Sequence, residues 1–382
     1  MKITFIITNL ATGGAEMMLL KLLQHIDRNR FEPMVISLVG MGEIGSRIAE
    51  LGIPVHALGM RRGIPNPMLV LKLAWLLRQN PPDIVHTWMY HADLLGGLAA
   101  RLAGCRKVVW GLHHSNLSKS ENKRSTLWVV KACALLSHWL PSQILSCSAR
   151  AKVVHAAIGY TADKIVVIPN GFELDRFQPD AVARDSVRVE FGLPLDTPLV
   201  GLVARFDSQK NHFGFVRAAA QVAERLPQVH FVLAGAEVDE RNIALKSAIT
   251  KSGLQERMHL LGRRDDVPRL IAALDVLASS SHGEAFPNVL GEAMACGVPC
   301  VVTDVGDSAD IVGKTGRVVS AGDMDGLARE LVAVLELPVA NKLALGEQAR
   351  ARVEEEYEIG HVANLYQVFY ERMLAEDKQG KY

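Results

Sequence analysis

The chain reads as an α/β protein of two Rossmann-like, doubly wound domains, and three observations predict this. Its 382 residues exceed what one hydrophobic core usually organises. Short, near-continuous apolar runs alternate with helical patterns, as in a parallel sheet covered on both faces. The alternation also breaks once and then restarts.

In the first series, Ile3 to Thr8 reads as a buried strand and Glu16 to Ile26 as a helix with apolar residues at helical spacing. Met34 to Val39 is a second strand and Ile44 to Leu51 a second helix. Val55 to Leu58, the helix Pro67 to Arg78, the strand Ile84 to His86, the helix His91 to Leu102 and the strand Lys107 to Trp110 follow. Ile165 to Ile168 is a further strand, closed by the turn Pro169-Asn170-Gly171. The stretch Gln178 to Thr197 is polar, charged and carries two prolines, so the boundary falls there. The second series then has strands at Leu199 to Val203, His230 to Leu233, Met258 to Leu261, Val276 to Ala278, Cys300 to Thr303 and Arg317 to Val319. The expected division is 1–180 and 181–358, with a terminal helix about His361 to Met373, in 359–382, crossing back to the first domain. Ligands of such sheets bind outside the carboxyl ends of the strands, here in a central crevice that the two domains face.

Composition removes several functions. The formal net charge is +1, which argues against nucleic acid as a partner. Five cysteines without a Cys-x-x-Cys give neither a disulfide framework nor a zinc site. No signal peptide is evident, and no apolar run approaches the roughly 20 residues of a spanning helix. The cytoplasm is the expected location.

The most informative segment is Gly283 to Glu292, which holds two carboxylates, Glu284 and Glu292. Gly283 and Pro287 place Glu284 in a loop before a helix, and Glu292 within that helix. Side chains eight positions apart share a helix face, so both acids are expected at one crevice. The first amides of the helix, around Asn288, Val289 and Leu290, face an anion. Thr12-Gly13-Gly14-Ala15-Glu16 opens the first helix directly after the first strand, so Gly13 and Gly14 let a ligand approach backbone N–H groups. Arg205 and Lys210 follow the first strand of the second domain and suit a phosphate.

Three further features are weaker. Gly40-Met41-Gly42-Glu43-Ile44-Gly45 matches the dinucleotide-binding pattern, but it follows the second strand and leads to Arg61 and Arg62 rather than an acid. A tight turn is the plainer reading. Asp323-Met324-Asp325 precedes a helical pattern, so a helix cap is favoured over a Mg²⁺ ligand. His86 and His91 lack a third ligand for zinc. No metal and no cofactor are expected.

Taken together, Gly13-Gly14-Ala15-Glu16, the Arg205/Lys210 pair, Pro169-Asn170-Gly171 with Arg176-Phe177, and Glu284 with Glu292 resemble the family-four retaining glycosyltransferases (glycosyl transferases group 1) of the GT-B fold. The resemblance covers nearly the whole chain. Thr87 to Gly97 and Trp110 to Ser115 point within it to bacterial O-antigen and surface-polysaccharide enzymes. It implies a hexosyl- or N-acetylhexosaminyl-type transfer from a nucleotide-sugar, a UDP- or GDP-sugar, to a glycan or lipid-linked acceptor, with retention and without a metal ion. It implies that Glu284 contacts donor-sugar hydroxyls and Glu292 the ribose. Arg205 and Lys210 would hold the diphosphate with the Gly14 backbone, and amides near Asn288 to Leu290 would touch sugar or phosphate. A histidine after the fourth strand would lie near the anomeric carbon; His113 and His114 both qualify, with His114 preferred.

For the acceptor side, Lys119, Lys123, Arg124 and Lys131 accompany Leu127, Trp128, Val129, Val130, Leu135 and Trp139. This segment is either an ordinary docked helix or a basic amphipathic helix in peripheral contact with the inner membrane leaflet. Three alternatives compete with a transferase: a GT-B epimerase or phosphorylase-like enzyme, a nucleotide-sugar-binding protein without turnover, and, on the Gly40 motif alone, an NAD(P) oxidoreductase.

Overall fold

The computed structural model describes residues 1–60, 67–118 and 122–379. Arg61, Arg62 and Lys119, singled out above, lie outside the described residues. The chain forms two compact units, one made of Met1–Gly171 and the chain from Ile359 onward, the other of Phe172–Glu358. The division thus falls at Gly171/Phe172 rather than at 180/181. Local pairing explains the shift. The Phe172 amide donates to the Tyr357 carbonyl at 2.8 Å, and Phe172 forms a parallel bridge with Glu358. Its ring stacks with Phe286 and meets Tyr357 edge-on.

The first unit is a parallel sheet of β1 (Lys2–Ile7), β2 (Glu32–Ser37), β3 (Val55–Ala57), β4 (Ile84–Trp88), β5 (Val108–Leu112), β6 (Gln143–Ser146) and β7 (Ile165–Val167). Their order is β3-β2-β1-β4-β5-β6-β7. Its helices are α1 (Gly14–His25), α2 (Gly42–Glu50), α3 (Pro67–Gln79), α4 (Tyr90–Leu102), α5 (Arg124–Leu136) and α6 (Ala149–Ala157). Every strand pairing is parallel, and Ile7 lies opposite both Ser37 and Trp88. Because β1 is followed by β2 on one side but neighbours β4 on the other, the strand order reverses between β1 and β4. That is the place where doubly wound sheets bind ligands.

The second unit repeats the design. Its helices are α7 (Ala181–Glu190), α8 (His212–Arg225), α9 (Ile243–Lys251), α10 (Val267–Ala272), α11 (Asn288–Ala295), α12 (Ser308–Val312), α13 (Met324–Leu335) and α14 (Val339–Glu356). They accompany β8 (Leu199–Val203), β9 (His230–Ala234), β10 (Met258–Leu260), β11 (Val276–Ser279), β12 (Cys300–Thr303) and β13 (Arg317–Val319), in the order β10-β9-β8-β11-β12-β13. The reversal lies between β8 and β11.

The last helix, α15 (Ile359–Gln379), belongs to the first unit. Ile359, Val362, Tyr366 and Tyr370 join the core formed by Phe5, Leu19, Leu22 and Val35 on one sheet face. The Tyr370 hydroxyl lies 2.8 Å from His86 Nδ1, so His86 serves the core. The opposite face is covered by α3, α4 and α5 around Trp110 and Ile144.

Two glycine-rich and acidic motifs find structural work. Gly42 has φ +57°, and a side chain there would collide with the Leu10 carbonyl, so the Gly40 motif is a close approach of two backbones. The Asp323 carboxylate accepts from the Gly326 amide at 2.7 Å and caps α13.

Candidate active site

In the second unit the two loops that leave the ends of β8 and β11 meet. The β8 loop runs through Arg205 and Lys210 to Asn211, which adopts a left-handed conformation (φ 51°, ψ 50°). The Asn211 side chain accepts from the Gly214 amide at 3.0 Å and so caps α8, which fixes the residue before it. That residue is Lys210, and its ammonium is ion-paired with Glu284 from the β11 loop. The Ser281 hydroxyl donates to the same carboxylate oxygen at 2.8 Å. Neither partner is more than a quarter exposed, at 24% for Lys210 and 12% for Glu284.

The Glu284 loop is braced from several sides. The His282 amide donates to the Gln209 carbonyl at 2.7 Å, and the Ser280 hydroxyl to the Lys210 carbonyl at 2.9 Å. Thr303, at the end of β12, donates its hydroxyl to the Ser281 carbonyl at 2.7 Å. The Asp307 amide reaches the Ala285 carbonyl at 3.0 Å. A loop so tied presents its carboxylate without further ordering, which is what a binding group requires.

Four residues on, α11 begins at Asn288. Glu284 is therefore not helical, and the shared-face argument does not apply to it; the strand-end loop, not helical period, delivers it. Asn288 and Val289 are half-buried in the first turn, whereas Leu290 is fully buried and its amide donates to the Pro287 carbonyl at 3.1 Å. Glu292 is half-buried in the second turn. Burial first, and the Glu292 charge next, push the Cys296 thiol one turn further on up to about 12. Gly291 lies flat against Phe172, whose ring a side chain would overlap. Arg205 departs from the cluster. It is 66% exposed and bonded to Asp207 of its own loop, at 3.2 Å through Nε and 3.1 Å through Nη2.

In the first unit the corresponding strand ends carry a different chemistry. His113 and His114 follow β5, the fifth strand in chain order rather than the fourth. The His113 ring stacks on Trp88 at 4.2 Å between centroids and 15° between planes. Burial lowers its pKa to about 3, and among the described residues its buried Nδ1 has no hydrogen-bond partner. His114 is half-buried, and its carbonyl accepts from the Tyr90 hydroxyl at 3.4 Å. Tyr90 also lies 2.9 Å from His155 Nε2.

Gly13 and Gly14 open α1 directly after the β1 loop. The Glu16 side chain folds back over Gly13, so this helix end faces a carboxylate of its own chain. Such a group is favourable at a helix N-terminus and competes there with any other anion.

Sequence reasoning overlooked Asp93, the one acid of α4. It is fully buried, accepts from the Thr87 hydroxyl at 2.6 Å and the Gly111 amide at 3.3 Å, and burial holds its carboxyl well above the usual range. The lone carboxylate of a helix whose one other charged side chain is Arg101 was the available signal. Met89 was also overlooked. It joins β4 to α4 at φ 75°, ψ 150°, a region that non-glycine residues seldom enter. Among the described residues, no group of three or more His, Cys, Asp or Glu side chains is arranged to hold a metal ion.

The model described as Glycosyltransferase Family 4 matches residues 12–176, and that described as Glycosyl transferases group 1 matches residues 197–337. Over 284 residues the chain is 30% identical to UDP-Gal:alpha-D-GlcNAc-diphosphoundecaprenol alpha-1,3-galactosyltransferase of Escherichia coli, covering 71% of each protein. It is 25% identical over 355 residues to N,N'-diacetylbacillosaminyl-diphospho-undecaprenol alpha-1,3-N-acetylgalactosaminyltransferase of Campylobacter jejuni, covering 89% of this chain and 91% of that one. Among solved structures, Anabaena HepE in complex with UDP and glucose superimposes with a TM-score of 0.84 at 25% identity, over 97% of this chain and 100% of that one.

Proposed function

Since the chain belongs to the glycosyltransferases of group 1, family four, with the GT-B fold, we propose that it moves a sugar from a UDP-sugar to a lipid-linked acceptor in surface-polysaccharide assembly, with retention and without a metal ion. One observation carries this reading. A buried-sided ammonium–carboxylate pair, Lys210 with Glu284, stands where the strand order reverses between β8 and β11, directly before the amide end of α11.

Transfer breaks the bond from the anomeric carbon to the diphosphate oxygen and forms one to an acceptor oxygen. Negative charge grows on the departing diphosphate, whose freed oxygen takes the proton that the acceptor hydroxyl gives up. In this proposal Lys210 and Arg205 stabilise the growing charge, and the first amides of α11 add their dipoles. Glu284 receives sugar hydroxyls and Glu292 the ribose. Arg205 reaches this role by leaving Asp207, an exchange that its exposure makes inexpensive. The role of a cation at the leaving group is thus filled by side chains, which supports a reaction that needs no divalent ion. UDP is bound in the HepE structure, and the two relatives named above are described as acting on diphosphoundecaprenol-linked sugars. Both facts support the choice of donor and acceptor.

The test incubates the protein with UDP-galactose or UDP-N-acetylgalactosamine and a diphosphoprenyl-linked N-acetylglucosamine, in EDTA. Release of UDP with an α-linked product, assigned by NMR, is the expected result. A β-linked product, a need for divalent metal, or UDP release that no acceptor accelerates would each overturn part of the reading.

A further inference from the structure

We propose that the outer face of the α3–α4–α5 layer is a docking surface for a bilayer containing anionic lipid. The proposal deepens the lipid-linked acceptor reading but stands on separate residues. Helices α3 and α5 both pack against α4 over one sheet face. Arg78 of α3 donates to the Leu102 carbonyl at 2.5 Å. Arg101 of α4 donates to the Trp139 and Leu140 carbonyls, each at 2.9 Å. The three helices are therefore bound into one platform.

The outward side of that platform is apolar. On α3, Met68, Leu71 and Trp75 recur at helical spacing and are 64%, 56% and 57% exposed. On α5 and just beyond it, Trp128, Leu135 and Trp139 do the same at 72%, 77% and 57%. Leu102 at the end of α4 is exposed as well. Scattered exposed hydrophobics are ordinary, but rows on two helices that flank α4, carrying Trp75 and Trp128 with Trp139 just beyond, are not.

Charge selects the occupant. The chain as a whole is balanced, with 42 basic and 41 acidic residues. On these helices the charged side chains are Lys72, Arg78, Arg101, Arg124 and Lys131, and the only carboxylate is the buried Asp93. A face that is aromatic, aliphatic and cationic, with no exposed acid on these three helices, complements an anionic leaflet. Tryptophan rings settle at the headgroup level, and lysine and arginine stems lie along apolar surface with their charge in water. Lys131 already lies over the Trp128 ring, with Nζ 5.6 Å from its centroid. Among the described residues no helix is long and apolar enough to cross a membrane, so contact through this face lies on the bilayer and does not span it.

The experiment is co-sedimentation of the full chain with vesicles of phosphatidylcholine, alone or with about one-third phosphatidylglycerol. Binding is expected to be at least about tenfold tighter on the anionic vesicles and to weaken with salt. Trp75→Ser/Trp128→Ser/Trp139→Ser is expected to lose at least about tenfold in binding while UDP release in detergent with a short-chain acceptor stays within about twofold. Lys72→Glu/Lys131→Glu, which keeps the tryptophans, is expected to lose the preference for anionic lipid. Equal binding to both vesicles, or none, overturns the proposal. So does a dimer in lipid-free solution that shields the tryptophans from an aqueous quencher, since the occupant is then a second copy. Donor turnover is read separately, so failure of the catalytic reading leaves a different signature.

Discussion

At the ends of β4 and β5 the first unit places neutral groups; at the ends of β8 and β11 the second unit places charges. The strand order is the same from β3 to β6 as from β10 to β13, with each reversal in the same place. Yet one end holds His113 with its pKa lowered to about 3, stacked on Trp88, and an Asp93 whose carboxyl burial pushes well up. The other holds an ammonium against a carboxylate, and a guanidinium against another. Topology therefore fixes where a ligand can sit, and the loops decide what chemistry it meets. The charged end suits a diphosphate. The neutral end offers ring surface and a few hydrogen-bonding groups in place of an ion pair.

The comparison is broken most directly by removing its charged side. Lys210→Ala is expected to lower kcat by about 10²- to 10³-fold, on the scale of losing one preorganised group that stabilises a leaving or developing anion. Glu284→Ala should cost about as much, because it removes the proposed sugar contact and the carboxylate that Lys210 is paired with. The double variant should lose much less than the product of the two, since side chains in contact are not additive. Steady-state kinetics on the three variants, with circular dichroism to check the fold, decides this. Full activity in either single variant removes the pair from the mechanism.

How far this was readable in advance differs from element to element. The parallel strands were legible because a strand buried on both faces is a near-continuous apolar run, as Leu199–Val203 and Cys300–Thr303 are. Helix α7 was not. Its valines 182 and 189 face solvent, and its inward side is anchored by Arg188, fully buried and bonded to Asp275 at 2.8 Å and to the Thr197 carbonyl at 3.0 Å. An inward arginine inverts the pattern that marks a helix. Helix α14 buries only Gly346, Ala349 and Val353, so it has no apolar stripe to find. The two glutamates and the two basic residues announced themselves by motif, but pairing Lys210 with Glu284 needs two loops far apart in sequence to converge. No local rule carries that information. The exposure of Trp75 and Trp128 was equally invisible, because a helix period does not say which face is covered.

A pH series sharpens the neutral side. The His113 pKa is near 6.5 when unfolded and about 3 in the fold, so the folded state resists protonation. Its contribution to stability is complete above about 6.5 and drains away as pH falls toward about 3. At pH 5 one such group has withdrawn about 2 kcal/mol, taking about 1.4 kcal/mol for each unit below 6.5. His155, held to about 4 by burial, acts in the same direction. Thermal unfolding of the wild type should therefore fall between pH 7 and pH 5, and His113→Phe, which keeps a ring against Trp88, should fall less. Parallel profiles for the two proteins would mean that the fold does not hold His113 neutral.

The smallest expected effect probes the backbone at the same end. Met89 links β4 to α4 at φ 75°, ψ 150°, beside the reversal of strand order, and its amide still donates to the Gly111 carbonyl at 3.0 Å. A residue with a Cβ pays about 1–3 kcal/mol to remain there, and glycine does not. Met89→Gly relieves that strain but loses side-chain packing and loosens the unfolded chain, each of the order of 1 kcal/mol. The net change in stability should stay within about 1 kcal/mol of zero, whereas replacing a comparable half-buried methionine of ordinary backbone costs the full packing loss. Urea unfolding of Met89→Gly beside Met89→Ala separates the two terms, because alanine loses the packing and keeps the strain. Glycine is expected to be the more stable of the pair. If alanine is, the left-handed geometry stores nothing, and the strand end holds its shape without strain.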